Sequence, residues 1–244
     1  MNKSNLYLAS LAFLLLVGQI SAQDHLWTFD ENAGYTSDDD GTSRNGVKAV
    51  LNNAQWLDLS KVGAGAAVQI TGDDNSYVSF GDSIGQFGTQ AFTVAFWFQT
   101  TDNSLSLADL IGNRATSGHG NFFAVRLSND GYVSAEVDQD ASGTNYIGFR
   151  SSQGGLNDGN WHHVAVTRSG RTLTLYIDGA ASNSGTASGT ANINNKVVFK
   201  AGRSLVDRAT ARFAPNAVFD DVAIYSSALS ASQVRSLYQG ATNQ

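Results

Sequence analysis

Trp161-His162-His163-Val164-Ala165-Val166-Thr167-Arg168-Ser169-Gly170-Arg171-Thr172-Leu173-Thr174-Leu175-Tyr176-Ile177-Asp178-Gly179 is the stretch that decides the fold. Side chains alternate across a strand, so every second residue lines one face. Val164 and Val166 share one face of the first half, and Leu173, Leu175 and Ile177 share a face of the second. Ser169-Gly170 is a two-residue hairpin link, and Asp178-Gly179 begins the next turn. The stretch therefore reads as an antiparallel hairpin with one apolar side. His162 and His163 are adjacent on a strand and face opposite ways, so they do not line one site together; His163 reads as structural.

The same pattern extends in both directions. Short alternating runs cut by Gly, Asn, Asp and Ser predict strands at 25–30, 66–71, 77–80, 91–100, 121–128, 132–137, 145–149, 196–200 and 217–225. Asn129-Asp130-Gly131 is a second hairpin signal. Residues 179–191 are rich in Ser, Gly, Ala and Thr and read as a long loop or a plain polar strand. One stretch is helical: Ser230 can cap it, and Val234, Leu237 and Tyr238 fall at i, i+3 and i+4. Many short strands at this spacing predict an all-β jelly-roll sandwich of two antiparallel sheets with a short C-terminal helix.

Composition narrows the class further. Of 244 residues, 21 are acidic, 19 of them Asp and only two Glu, against five Lys and ten Arg. Surface helices draw on Glu and Lys, so their scarcity argues against a helical protein. The absence of Cys removes a disulfide scaffold. The net charge of −6 disfavours a basic nucleic-acid footprint. Residues 1–22 read as an export signal, with Lys3 ahead of an apolar run at 11–17 and Ser21-Ala22 at the cleavage point. That run is too short for a membrane span, which needs ~20 residues. A single domain at 23–244, secreted or periplasmic, is the expectation; with Lys3 gone it holds 14 basic against 21 acidic side chains.

Three segments resemble the laminin G-like group of the concanavalin A-like lectin/glucanase superfamily, close to pentraxin-like modules. They are Leu26-Trp27-Thr28-Phe29-Asp30-Glu31 with the loop from Asp38 to Gly46, the hairpin quoted above, and Phe219-Asp220-Asp221-Val222-Ala223-Ile224-Tyr225 with Ala228-Leu229-Ser230. Phe92-Thr93-Val94-Ala95-Phe96-Trp97-Phe98 fits the central strand. Crowded carboxylates beside Gly41 and Gly46 suit Ca²⁺, which takes 6–8 oxygens at about 2.3–2.6 Å. The resemblance implies a Ca²⁺ between this loop and the last strand, mapping Asp38, Asn45 and Asp220 onto its ligands, with Asp40 and Glu31 as additional ones. The family's usual Asp-Ser-Ser-Gly is replaced by Asp38-Asp39-Asp40-Gly41, so a solvated acidic loop is the alternative. There is no EF-hand spacing and no Cys/His cluster, which argues against zinc.

A second acidic set is Glu136-Val137-Asp138-Gln139-Asp140. Strand alternation would put Glu136, Asp138 and Asp140 on one face, as in the Glu-x-Asp-x-Glu signature of related β-glucanases, with Asp in the last place. These three are the catalytic set of an enzymatic alternative; otherwise they are solvent-facing acids on an outer strand. Asn113-Arg114, Asn145-Tyr146 and Arg150 stand where loop-edge contacts to a sugar are made, while Trp27, Trp56, Trp97 and Trp161 read as core. The leading expectation is a non-catalytic, lectin-like module binding carbohydrate or a glycosylated cell-surface or matrix partner. The alternatives are a glycoside hydrolase or polysaccharide lyase, and a protein-binding adhesion module.

Overall fold

The computed structural model describes residues 24–42, 46–61, 65–73, 75–203 and 214–240. The proposed signal at 1–22 and Asn45 lie outside these residues. In chain order the elements are β1 (His25–Trp27), β2 (Thr36–Ser37), β3 (Ala49–Asn52), β4 (Gln55–Leu57), β5 (Ala67–Thr71), β6 (Tyr77–Ser79), β7 (Phe92–Thr100) and β8 (Leu107–Gly112). There follow β9 (Phe122–Ser128), β10 (Val133–Asp138), β11 (Ile147–Arg150), β12 (Trp161–Ser169), β13 (Thr172–Ile177), β14 (Ala180–Thr186), β15 (Lys200–Ala201), β16 (Asn216–Tyr225) and α1 (Ala231–Tyr238).

Two antiparallel sheets form. The first runs β14-β13-β12-β7-β16-β5-β4, with β1 added on β16; the second runs β11-β10-β9-β8-β15-β6-β3-β2. The decisive hairpin is there, Val164 opposite Ile177 and Ser169 opposite Thr172, so Ser169 is paired in β12 and the two-residue link is Gly170-Arg171, one position later than expected. Its apolar faces enter one core shared by both sheets, where Val164, Val166, Leu173 and Leu175 meet Phe96, Phe123, Val125, Ala135 and Val137. Non-local pairing dominates: β7 lies between β12 and β16, both more than 60 residues later in the chain for every pair. The jelly-roll expectation is met.

The helix is laid on the outer face of the first sheet. Val234 packs with Ala95, Ala165, Tyr176, Ala223 and Tyr225, the three alanines leaving room for the helix between the two tyrosines. Ser230 caps it as a capping box, the Gln233 side chain returning to the Ser230 N–H at 2.9 Å. His163 is sealed under this helix against Trp97 and Tyr238. Burial pushes its imidazole down to about 4, so it is a neutral structural residue.

β8, β3, β4 and β15 differ from the expected strand pattern, and β14 settles the 179–191 reading as a polar strand. β8 was hidden because Leu107–Gly112 is apolar almost throughout and lacks alternation. The short β3 and β4 lie among Asn and Gln that read as loop. Only Lys200 of the 196–200 run is in a strand. The polar stretch at 180–186 is an exposed edge strand, β14, tied to β13 by Thr172 and Thr186 hydroxyls 2.9 Å apart. Of the tryptophans, Trp27 and Trp97 are core, whereas Trp56 and Trp161 are half-buried.

Candidate functional site

The chemistry gathers on the outer face of the second sheet, at its β9–β10–β11 end. Strand alternation on β10 sends Val133, Ala135 and Val137 into the core and Ser134, Glu136 and Asp138 outward. Outward here is not solvent. Glu136 and Asp138 are buried beneath the 113–121 loop and the 140–146 turn, which corrects the expectation of solvent-facing acids. A buried charge must be paired, and both are. Arg114 Nη1 donates to Glu136 Oε2 at 2.7 Å, and Arg126 Nη1 reaches Oε1 at 3.4 Å. Arg126 Nε in turn lies 3.0 Å from Asp109 Oδ1, so four charges alternate in sign across β8, β9 and β10. The pairing Ser134–Arg126 puts Arg126 diagonal to Glu136, within reach of a long side chain.

Asp138 is held as fully. Its Oδ1 accepts from the Gln139 N–H at 2.8 Å, and its Oδ2 accepts from the Gly120 N–H at 3.2 Å and lies 2.7 Å from His119 Nδ1. His119 is half exposed and stands edge-on to Tyr146, ring centroids 5.0 Å apart. Asp140 does not share this face. β10 ends at Asp138, and Asp140 Oδ1 turns to the N–H groups of Ser142 and Thr144. Those bonds, the Thr144 hydroxyl first, hold its carboxyl below the usual range. The three-carboxylate row inferred from alternation is thus two residues plus a turn cap.

Tyr146 closes the cleft. Its phenol lies over Gly148, where a Cβ would meet the hydroxyl at 1.9 Å, and its O–H is 3.4 Å from Glu136 Oε2. Gly143 leaves room for His119 in the same way, since a Cβ would sit 2.8 Å from the imidazole. Burial, then the Glu136 charge, pushes the Tyr146 phenol up. Arg114, Gly118, His119, Phe122, Glu136 and Tyr146 enclose a shallow cleft of about 190 Å³. Arg114 stacks over Phe122 at 4.1 Å and donates its remaining N–H groups to the carbonyls of Thr116, Ser117 and Gly118. Its charge is spent on fixing the loop. Asn113 is likewise structural, bonding the Phe123 N–H and the Gly85 carbonyl. Tyr146 and His119 are the surfaces left open to a ligand. The role of His119 was not readable from its Gly-rich loop; the pairing of Arg126 with Glu136 could have been read from the hairpin register set by Asn129-Asp130-Gly131.

The other acidic set divides. Asp38 is exposed and ion-paired with Lys48, and its N–H donates to Glu31 Oε1 at 2.6 Å. Asp39 is the buried member: its carboxylate lies 2.6 Å from His25 Nδ1 and accepts from the Leu26 and Gly41 N–H groups at 3.0 and 2.9 Å. Asp40 is exposed beside Thr28, 3.5 Å from its hydroxyl. Asp220 is sealed within β16, accepting from the Lys61 N–H at 2.7 Å, the Ser60 hydroxyl at 3.2 Å and the Asp221 N–H at 2.9 Å. Burial raises its carboxyl to about 6. Among the described residues, no three His, Cys, Asp or Glu side chains gather as a metal cage. The fit to Ca²⁺ is accordingly poor at Asp38, whose carboxylate is taken by Lys48.

A laminin G-type family model of the concanavalin A-like lectin/glucanases superfamily matches residues 71–235. The chain belongs to that superfamily. The match includes β6 to β16 and therefore the whole Glu136–Tyr146 cleft. Solved structures share the superfamily fold. The binding domain of Paraclostridial Mosquitocidal Protein 1 aligns with TM-score 0.69 at 19% identity, covering 89% of this chain and 52% of that one. The botulinum neurotoxin serotype D binding domain aligns with TM-score 0.64 at 17% identity, covering 90% and 52%. The binding domain of botulinum neurotoxin DC, in complex with SialylT, aligns with TM-score 0.64 at 15% identity, covering 91% and 52%. The chain thus spans about half the length of these solved chains. A comparison with the curated proteins finds no match. As a superfamily, the fold hosts both binding modules and enzymes, so function has to be argued from the site. Among the described residues no helix is long and apolar enough to cross a membrane.

Proposed function

We propose that the chain is an exported, non-catalytic recognition module that binds carbohydrate, or a glycosylated surface, at the β9–β11 cleft. The observation that carries this is a half-open phenol and imidazole, Tyr146 and His119, standing over carboxylates whose oxygens are all engaged by protein donors. A glycosidase needs one carboxyl free to donate a proton and a second to attack or activate water. Here Glu136 faces two guanidinium groups, Asp138 faces two N–H groups and an imidazole, and Asp140 caps a turn. What the cleft offers outward is an aromatic edge and ring N–H chemistry, which suits a pyranose. The toxin binding domains that share the fold, one of them solved with SialylT, support recognition as the role. Export rests on the basic, apolar and small-residue order of residues 1–22. On a printed array of neutral and sialylated glycans the protein is expected to bind, and Tyr146→Ala to lose that binding; an array blank with and without Ca²⁺ overturns carbohydrate recognition.

Ca²⁺ at Asp38, Asp40, Asn45 and Asp220 is a separate proposal, supported by carboxylate density around the 38–46 loop and opposed by the Lys48 pair on Asp38. A cation that binds only the folded state stabilises by mass action, by about 2.7 kcal/mol at a hundred-fold excess over Kd. The proposal predicts a melting temperature that rises with Ca²⁺ and falls with chelator. A melting temperature indifferent to both removes it.

A further inference from the structure

At the opposite end of the same sheet, around β2, β3 and β6, lies a cleft of about 410 Å³ lined by Tyr35, Leu51, Asn52, Asn53, Asn75 and Tyr77, with Ala54. Its volume falls in the ~300–1,000 Å³ range of small-ligand sites. No charged side chain is among the described residues that line it. Tyr35 stands 79% exposed, the most exposed large apolar side chain among the described residues. Its backbone is anchored, the carbonyl accepting from the Leu51 N–H at 2.8 Å, so an aromatic ring is displayed from a fixed point.

The facing wall is equally fixed. Asn53 sits at φ 46°, a left-handed position that Asn tolerates better than other residues, and it turns the chain from β3 into β4. The buried Ser76 hydroxyl donates to the Asn53 carbonyl at 3.0 Å and accepts from the Thr71 N–H at 3.1 Å, locking that turn to β5 and β6. Asn75 is held by its N–H, which donates to Asp73 Oδ1 at 2.8 Å. With the main chain of both residues engaged, the side-chain amides of Asn53 and Asn75 stand exposed. Tyr77 is backed by Lys200, whose ammonium lies 4.0 Å over its ring and is itself buried. Tyr77 therefore closes the floor and Tyr35 is the open platform.

We infer that this cleft is a second carbohydrate subsite, for a neutral oligosaccharide. A carboxamide offers a donor pair and an acceptor side by side, which matches vicinal hydroxyls. An exposed ring takes the C–H face of a pyranose against its electron-rich face. The described lining carries no charged side chain, and the Lys200 ammonium behind it is engaged with the Tyr77 ring, so an anionic sugar meets no open partner among the described residues, and burying an unpaired charge is costly. The inference rests on the carbohydrate reading proposed above but concerns a different surface. The two clefts lie at β10–β11 and β2–β3, the two ends of one eight-stranded sheet. The protein would accordingly hold a glycan at two points.

The test uses the full chain, ¹⁵N-labelled, and follows its backbone and side-chain amide signals by NMR. The probes are cellotetraose, maltotetraose, mannotetraose and lactose, each at about 10 mM, where sites with millimolar Kd are occupied. At least one neutral sugar should move the Asn52, Asn53 and Asn75 amides, and sialyllactose should not compete for them. Tyr35→Ala, a substitution at an exposed ring, should weaken that response at least about ten-fold, or ~1.4 kcal/mol. Amides that stay still with all four sugars, or that move equally in Tyr35→Ala, overturn the second subsite. Shifts confined to His119 and the residues around Tyr146 would also overturn it and leave carbohydrate recognition standing.

Discussion

Arg168→Met is expected to destabilise the fold by about 2–3 kcal/mol, the upper part of the range for a single substitution that breaks a buried hydrogen-bond network, and to lower the melting temperature by roughly 5–10 °C. Arg168 lies on β12 and is 1% exposed. Its Nε donates to the Gln90 carbonyl at 3.0 Å, Nη1 to that of Ala191 at 2.9 Å, and Nη2 to those of Gly88 and Gln90 at 2.8 and 2.6 Å. One guanidinium thus ties the 87–90 segment and residue 191 to the central hairpin, and it also stacks over Phe92 at 4.7 Å. Burial pushes the guanidinium down to about 10, still charged at neutral pH. Met can replace the stem and the contact with Phe92. It cannot donate, so the buried Ala191 carbonyl would be left without a partner at about 1–3 kcal/mol, the Gln90 carbonyl would turn to solvent, and Gly88 would keep only the Ile193 N–H. Arg168→Lys should recover little, because a point ammonium cannot reach carbonyls spread around a planar fork. Chemical or thermal unfolding of the two variants measures this directly; a loss below about 1 kcal/mol for Met would mean that the loops find other partners.

Glu136→Ala is expected to cost about 3 kcal/mol, and Glu136→Gln about 1 kcal/mol. The carboxylate sits between Arg114 and Arg126, and its removal leaves Arg114 without an anion on a largely buried face. Both arginines keep other partners, carbonyls for Arg114 and Asp109 for Arg126, which sets the figure at the lower end for a buried pair. Gln retains an acceptor for Arg114 Nη1 and gives up the charge. This ordering, Ala well below Gln and Gln close to wild type, is what a structural carboxylate does. A catalytic one would differ in activity: Glu136→Gln would abolish a release of reducing ends from a β-glucan that the wild type shows. Unfolding curves together with a reducing-end assay on the same two variants distinguish the roles.

The hairpin of β12 and β13 was legible because Val164, Val166, Leu173, Leu175 and Ile177 obey a period of two and both of its turns carry Gly. The same holds for the Ser230 cap, where a local capping box needs no tertiary partner. β8 was not legible, since a strand buried on both sides loses the alternation that identifies it. At the site, the residue types at Glu136, Asp138, Arg114 and Tyr146 were visible and their surroundings were not. Whether an outward-facing acid meets water or a guanidinium depends on where the 113–121 loop and the 140–146 turn fold back. Asp140 shows the limit of the pattern argument: alternation holds only while the strand does, and β10 stops two residues earlier. The abundance of Asp over Glu has a local explanation in residues such as Asp73, Asp140 and Asp158, whose short carboxylates bond the N–H two residues on.

The most direct measurement is the affinity of wild type and Tyr146→Ala for the strongest glycan found on the array, by titration calorimetry. Tyr146 is 39% exposed and packs on Gly148 and His119, so its removal should leave the sheet intact. Carbohydrate recognition at the β9–β11 cleft predicts at least about ten-fold weaker binding, or ~1.4 kcal/mol, with the sugar recovered uncleaved. Equal affinity in the two proteins would contradict it.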